Sequence, residues 1–307
     1  MISVLITGVN GLLGSYLTSY LLSNGYRVIG IGKGENRLSI PANDNFRYHD
    51  IDITHDFKLQ QLMARERPDV VVHAAAITQV DECQLNQETC EEVNVRGTAT
   101  VLLNAEEFCG HFIFISTDFV FDGDKGNYAE DDHLNPVNWY GFTKVQAESI
   151  VESSEMNWSI VRTCLVYGLQ PEGARNNIVT WIKDSLEQDK AINVLSDQVR
   201  TATYAGDLAK GIELIIRKKA TGIFHISGEE VLTAYEMAIK TADFLGLDAK
   251  LIKKTDVSFF NQPAKRPMKT GFDISKARSE LGFEPMSFEK GLASMFSTKD
   301  ENNPDRV

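Results

Sequence analysis

The chain of 307 residues is short of positive charge, of cysteine and of any long apolar run. Its 31 Lys and Arg face 43 Asp and Glu, a formal net charge of -12. No basic surplus therefore exists to displace the counterions of a nucleic acid or to hold an anionic membrane, and neither partner is expected. Four cysteines, Cys83, Cys90, Cys109 and Cys164, form no CxxC pair. They read as buried, inert thiols of a reducing compartment, in a chain that folds without staples. The apolar N-terminus lacks a basic leader and is interrupted by Gly8, Asn10 and Gly11, so neither a signal peptide nor a membrane helix is read there and a cytoplasmic location is expected. Six histidines show neither HxxxH nor HxH spacing. Structural roles are expected for them and no transition metal, a loosely held magnesium near the carboxylates of Asp118 to Asp132 being the one metal alternative.

What is present is an ordinary globular composition, 43% apolar and 24% charged, with a regular alternation of elements. Ile2 to Thr7 is a β-branched run without polar alternation, as in a strand buried on both faces. Leucines and tyrosines from Leu12 to Leu21 then recur at helical spacing, Asn24-Gly25 ends that helix, and Tyr26 to Ile31 starts a second strand. Further apolar runs at 70–72, 112–115, 159–161 and 223–226 alternate with helical stretches around 55–66, 87–108, 139–152 and 206–217. This order predicts an α/β fold, a doubly wound parallel sheet of the dinucleotide-binding Rossmann kind, with a smaller, discontinuous C-terminal substrate lobe. The sheet domain takes 1–168 and 206–230; the lobe takes 169–205 and 231–307, with helices at 176–189, 233–245, 274–281 and 287–296. The polar end, Lys299 to Val307, is expected to fray.

Gly8, Gly11 and Gly14 follow the first strand and open its helix within Thr7-Gly8-Val9-Asn10-Gly11-Leu12-Leu13-Gly14. There the missing side chains let backbone approach a pyrophosphate at a helix N-terminus. Gly8, Asn10, Gly11, Leu12, Leu13 and Gly14 are the candidate contacts. An acid at the end of the second strand would select NAD through the ribose diol. None stands there: Gly32-Lys33-Gly34 follows, so Lys33 is expected to neutralise a 2'-phosphate and NADPH to be preferred, with NADH as the alternative. Asp52-Ile53 after the third strand would face the adenine, or Asp52 would cap the next helix. Ala74, Ala75 and Ala76 after the fourth strand are small enough to let the dinucleotide lie across the strand ends.

Tyr140 and Lys144 are four apart in a predicted helix and share a face. A free phenol titrates near 10, and a neighbouring ammonium favours phenolate. Thr117 follows the fifth strand and emerges at the carboxyl edge of the sheet, where such folds bind ligands. The glycine loop, Ala74-Ala75-Ala76, Ser116-Thr117-Asp118-Phe119-Val120-Phe121-Asp122-Gly123 and Tyr140-Gly-x-x-Lys144, in this order, resemble the extended short-chain dehydrogenase/reductases. Within them the chain is most similar to the dTDP-4-dehydrorhamnose reductase group, with Thr78-x-Val80-Asp81, Asp197-Gln198, Arg266-Pro267 and Asp273-x-Ser275-Lys276 extending the match along nearly the whole length.

The resemblance implies an NAD(P)-dependent oxidoreductase that reduces a 4-keto nucleotide sugar, with Thr117, Tyr140 and Lys144 as its triad, Tyr140 as proton donor and Asn94 as a supporting residue. It also implies a substrate site, for which Asp81, Asp118, Arg200 and Arg266 are candidates. The two guanidinium groups suit a diphosphate. A homodimer is compatible with it. The chain departs from the reductase pattern in Arg162-Thr163-Cys164-Leu165-Val166-Tyr167, where a tryptophan is usual before the tyrosine, and in Val199-Arg200 after Asp197-Gln198. Two alternatives remain: an epimerase that keeps NAD bound, and a regulatory NADP-binding subunit like the similar β subunit of methionine adenosyltransferase. From Lys250 to Arg278, eight basic residues meet two acidic ones, so positive charge is concentrated in the smaller lobe around Arg266.

Overall fold

In a computed structural model, residues 1–41 and 43–297 are described; the tail expected to fray lies outside them. The first unit runs β1 (Ser3–Thr7), α1 (Leu12–Ser23), β2 (Arg27–Gly32), β3 (Phe46–Asp50), α2 (Asp56–Glu66) and β4 (Val70–His73). Then come α3 (Val80–Leu85), α4 (Gln87–Glu91), a π-helical turn at Glu92–Arg96, α5 (Gly97–Phe108), β5 (His111–Thr117), α6 (Trp139–Glu152), β6 (Trp158–Thr163) and β7 (Val166–Tyr167). The rest is α7 (Ile178–Glu187), β8 (Ile192–Leu195), β9 (Val199–Thr201), β10 (Thr203–Tyr204), α8 (Ala205–Lys218), β11 (Gly222–His225), β12 (Val231–Thr233), α9 (Ala234–Leu245), β13 (Ile252–Thr255), β14 (Lys269–Thr270) and α10 (Phe288–Phe296).

Seven parallel strands form one sheet in the order β3-β2-β1-β4-β5-β6-β11. Its central strands are buried on both faces, every residue of β1 and β4 included, which is why their sequences carry no alternation. One apolar layer joins α1 and α8 to the sheet through Leu17, Leu21, Leu208 and Ile212; the other packs α2, α5 and α6 on it through Leu59, Leu62, Val101 and Ala147. The return of 223–226 to the main sheet is borne out, since β11 pairs with β6 from Gly222↔Ser159 to His225↔Arg162. Excursions on either side of it build the smaller part, with a three-stranded sheet β12-β9-β14 and a pair β13-β8, closed by Ile182, Leu186, Ala238 and Ala242 of α7 and α9.

Two expectations are corrected. The helix foreseen over 87–108 is interrupted at Glu92–Arg96 by the π-helical turn, which turns Asn94 inward to bond the backbone of Ile77. Nor are all four cysteines free thiols. Cys83 and Cys90 form a disulfide, because the bend between α3 and α4 brings their Cα atoms to 5.1 Å. Cys109 and Cys164 are free, and burial pushes the Cys109 thiol up to about 12 and that of Cys164 well above its usual range, so these two are inert as expected.

Three of the six histidines take structural partners: His73 bonds Thr7 and Thr98, His111 bonds Ser159, and His225 bonds the Tyr128 carbonyl. Among the described residues no His, Cys, Asp and Glu cluster is arranged to hold a metal ion, and no helix is long and apolar enough to cross a membrane.

Beside β6, Arg162 and Glu148 form an ion pair whose side chains are each 2% exposed, with Nη2 2.7 Å from Oε2. Nη1 donates to the Glu130 carbonyl, so all three guanidinium nitrogens have a protein partner. Removing one partner strands the other charge in the core. Arg162→Met is expected to lower unfolding stability by about 3–5 kcal/mol in urea titration, and adding Glu148→Leu should recover much of that loss; a near-neutral single variant would show that water reaches the pair.

Candidate active site

The register of the sheet assembles the site. Thr7 lies level with His73, and His73 with Phe114, so β5 runs three residues past β4, with β6 alone beside it as far as Thr117↔Thr163, and presents Thr117 at the carboxyl edge. The Thr7 hydroxyl accepts from the amides of Ala74 and Ala75, both at 3.1 Å, fixing the segment after β4 against the loop after β1. Gly8 has φ of +71°, and a Cβ there would meet the Ala75 backbone at 2.9 Å; only glycine permits both. At Gly14 a Cβ would lie 2.6 Å from the Val9 Cα, so the helix starts tight against the loop. Gly11 caps α1 without a side chain, and the first turn holds no acid. The amides of Leu12, Leu13 and Gly14 at this N-terminus therefore suit an anion, and the donor set fits a dinucleotide pyrophosphate.

Asn10 braces the loop after β2. Its amide donates to the Glu35 carbonyl at 2.9 Å and to the Tyr48 hydroxyl at 3.0 Å, and accepts from the Arg37 amide at 3.0 Å, bracing the loop that carries Lys33. Lys33 Nζ is 2.8 Å from Asp52 Oδ2. Two residues singled out separately in the sequence thus form one pair at the ends of β2 and β3. Burial works against the Asp52 charge, but hydrogen bonds from Lys33 and Thr54 outweigh it and hold the carboxyl below its usual range. Ile53 is buried against Gly97, where a Cβ would meet its side chain at 2.8 Å. Asn94 accepts from the Ile77 amide at 2.8 Å and donates to the Ile77 carbonyl at 3.0 Å and toward the Thr143 hydroxyl at 3.2 Å. It joins the segment after Ala74–Ala76 to α6.

Helix α6 carries the reactive pair. Asn138 caps it, accepting from the Gly141 amide at 2.9 Å, which places Tyr140 in the first turn. Burial pushes the Tyr140 phenol above its usual range; hydrogen bonding toward Thr117 opposes the rise, and the charge of Asp118 adds to it. The phenol therefore holds its proton, contrary to the lowering expected from Lys144. The reason lies in where Lys144 points: Nζ donates to the Ile115 carbonyl at 2.7 Å and stands 3.9 Å over the Phe114 ring, and burial lowers its own pKa to about 7. Gly141 packs directly on the Phe119 carbonyl, so glycine lets the helix reach the strand end.

Asp118 is 2% exposed. It accepts from Thr117 Oγ1 at 3.1 Å, from Cys164 Sγ at 3.3 Å and from the Thr270 hydroxyl. Arg200, expected at a substrate diphosphate, turns inward instead: its guanidinium donates to the Val199, Pro267 and Met268 carbonyls, and Nε lies 3.6 Å from Asp118 Oδ2. Strand β9 sits between β12 and β14, which explains this burial. Asp81 and Arg266, also singled out as substrate contacts, form a two-pronged ion pair at 2.8 and 2.7 Å. That pairing holds the Asp81 carboxyl below its usual range. Sequence reasoning missed Asn138, Cys164 and Thr270. An Asn just before a helix is a readable cap, whereas nothing local marks Thr270, which reaches Asp118 across 152 residues.

The chain matches the RmlD substrate binding domain family across residues 2–300. It belongs to that family. The "probable low-salt glycan biosynthesis reductase Agl14" of Haloferax volcanii is 30% identical over 294 residues, 94% of this chain and 96% of that one. Methionine adenosyltransferase 2 subunit beta of Bos taurus is 28% identical over 280 residues, 89% of this chain and 80% of its own. Among solved structures, the dTDP-4-dehydrorhamnose reductase of Bacillus anthracis in complex with NADP superposes with a TM-score of 0.84 at 28% identity, covering 96% of this chain and 99% of that one. The resemblance read from the motifs, and the Rossmann sheet it implied, are thus borne out.

The state of Lys144 is open to measurement. Because burial lowers its folded pKa to about 7 from 10.5, the unfolded chain binds the extra proton between those values, and stability rises with pH through that window. From pH 7 to 9 the unfolding free energy is expected to gain up to about 1.4 kcal/mol per pH unit relative to Lys144→Met, which has no amine to titrate. Parallel pH profiles for the two proteins would show an ordinary, solvated amine.

Proposed function

We propose that the protein is an NADPH-dependent reductase of a 4-keto, nucleotide-activated deoxysugar, as in dTDP-4-dehydrorhamnose reductases. The observation that carries this reading is the placement of Tyr140 beside Thr117 at the carboxyl edge of the sheet, with Lys144 one helical turn on and the glycine loop after β1, on the far side of β4. Family membership supports the coarser statement, an NAD(P)-dependent oxidoreductase of nucleotide sugars. The nicotinamide cofactor would supply hydride to the ketone carbon. Leu12, Leu13 and Gly14 amides would hold its pyrophosphate, with Gly8 and Gly11 leaving room, Lys33 facing the 2'-phosphate, Asp52 and Ile53 near the adenine, and Ala74, Ala75 and Ala76 beneath the dinucleotide.

Tyr140 gives its proton to the carbonyl oxygen. Burial favours this role, because a phenol that titrates high keeps its proton until a developing alkoxide takes it. Thr117, which donates to Asp118 in the free protein, would turn its hydroxyl to the carbonyl oxygen, and Lys144, which donates to the Ile115 carbonyl, would hold the nicotinamide ribose. Arg266, released from Asp81, is the candidate for the substrate's diphosphate, since the guanidinium fork binds phosphate oxygens as it binds the carboxylate. The regulatory reading keeps a specific support, the likeness to the methionine adenosyltransferase subunit.

The deciding experiment is NADPH oxidation, followed optically, with a panel of 4-keto dTDP-, UDP- and GDP-sugars. Turnover of one member is expected; none with any member would promote the regulatory role. Tyr140→Phe should lose most turnover while its NADPH dissociation constant stays within about twofold, the signature of a group needed in the transition state alone. Retained turnover would refute its assignment. Lys33→Ala should weaken NADPH about fivefold and leave NADH unchanged, as expected for one exposed phosphate contact.

A further inference from the structure

Segment 264–269 of the smaller part is stitched to the Rossmann unit almost residue by residue. Asp81 Oδ1 accepts from the Ala264 amide at 3.2 Å and Asp81 grips the Arg266 guanidinium. The Lys269 amide donates to the Gly123 carbonyl at 3.0 Å. Between these ties, Asn138 Nδ2 donates to the Lys265 carbonyl at 2.9 Å. The same side chain caps α6 through its Oδ1, two residues before Tyr140, and is 7% exposed.

The two bonds use separate atoms of one side chain, the Oδ1 acceptor and the Nδ2 donor of a primary amide. A cap needs an acceptor, which serine, threonine or aspartate also supplies; the bond to Lys265 needs a donor on the same side chain, with the reach of an amide nitrogen. The geometry points to Asn138 as a positioning residue that couples the seat of Arg266 to the seat of Tyr140: the segment bearing the candidate diphosphate contact and the helix bearing the proton donor are held by one side chain. This rests on the reductase reading above. The bond to Lys265 fixes where substrate lies relative to the phenol, and leaves the glycine loop alone.

Asn138→Asp keeps an acceptor for the cap and has no donor, and Asn138→Ser keeps the acceptor but its hydroxyl, held on Cβ, is too short to reach the Lys265 carbonyl; Asn138→Ala loses both. In the full-length protein, the first two are expected to raise KM for the ketosugar about five- to tenfold, the size of one buried hydrogen bond lost. Their NADPH dissociation constant and Tm should stay near wild type, while hydrogen exchange of the amides in 264–269 quickens. Asn138→Ala should in addition lower Tm. If Asn138→Ser keeps wild-type KM, or keeps wild-type exchange in 264–269, or loses Tm as Asn138→Ala does, the side chain is a cap alone and the inference is overturned. A wild-type protein that turns over no ketosugar sinks the reductase reading instead; exchange then decides the link to Lys265 by itself, faster in Asn138→Ser upholding it and unchanged overturning it.

Discussion

A carboxylate removed from water must be fully partnered, and the arrangement around Asp118 follows from that requirement. It stands just past the end of β5, which outruns β4, and the Rossmann unit supplies only part of its partners. Its partners come from three directions: the Thr117 hydroxyl beside it in sequence, the Cys164 thiol after β6, and Thr270 with Arg200 from the small sheet. Satisfying one buried charge thus locks β9 and β14 onto the catalytic edge. Thr117, held by Asp118, in turn holds Tyr140.

The same interior explains why the reactive groups differ from their behaviour in water. Tyr140 and Lys144 are neighbours on one helix face, yet burial drives the phenol up and the amine down. Each favours its neutral form for the same reason, the cost of charge in a poorly solvated site. A neutral acid next to an amine that titrates near 7 leaves both groups able to change charge when ligands arrive.

Much of this was legible in the sequence where the signal is local. The buried strands, the glycine loop after β1, helix α6 with Tyr140 and Lys144 on one face, and the return of β11 all rest on short-range patterns. What escaped is what long-range contacts decide. Lys33 and Asp52 were readable as charges but not as each other's partner; Arg266 and Asp81 lie 185 residues apart. Arg200 read as a guanidinium facing the substrate's diphosphate because nothing nearby reveals that β9 is the central strand of a second sheet. The disulfide escaped because its seven-residue spacing matches no pairing motif and closes only through the bend between two short helices.

The place of β11 has a consequence for how the chain reaches this form. It is the last strand of the main sheet, and it follows the residues of α7, β8, β9, β10 and α8. Until those have left the ribosome, β6 is a bare edge with unpaired amides and carbonyls, flanked by apolar side chains that favour pairing with another chain. A nascent or truncated polypeptide ending before residue 222 therefore exposes the surface from which aggregation starts, and completion of the sheet makes the two ends of the first excursion a single folding event.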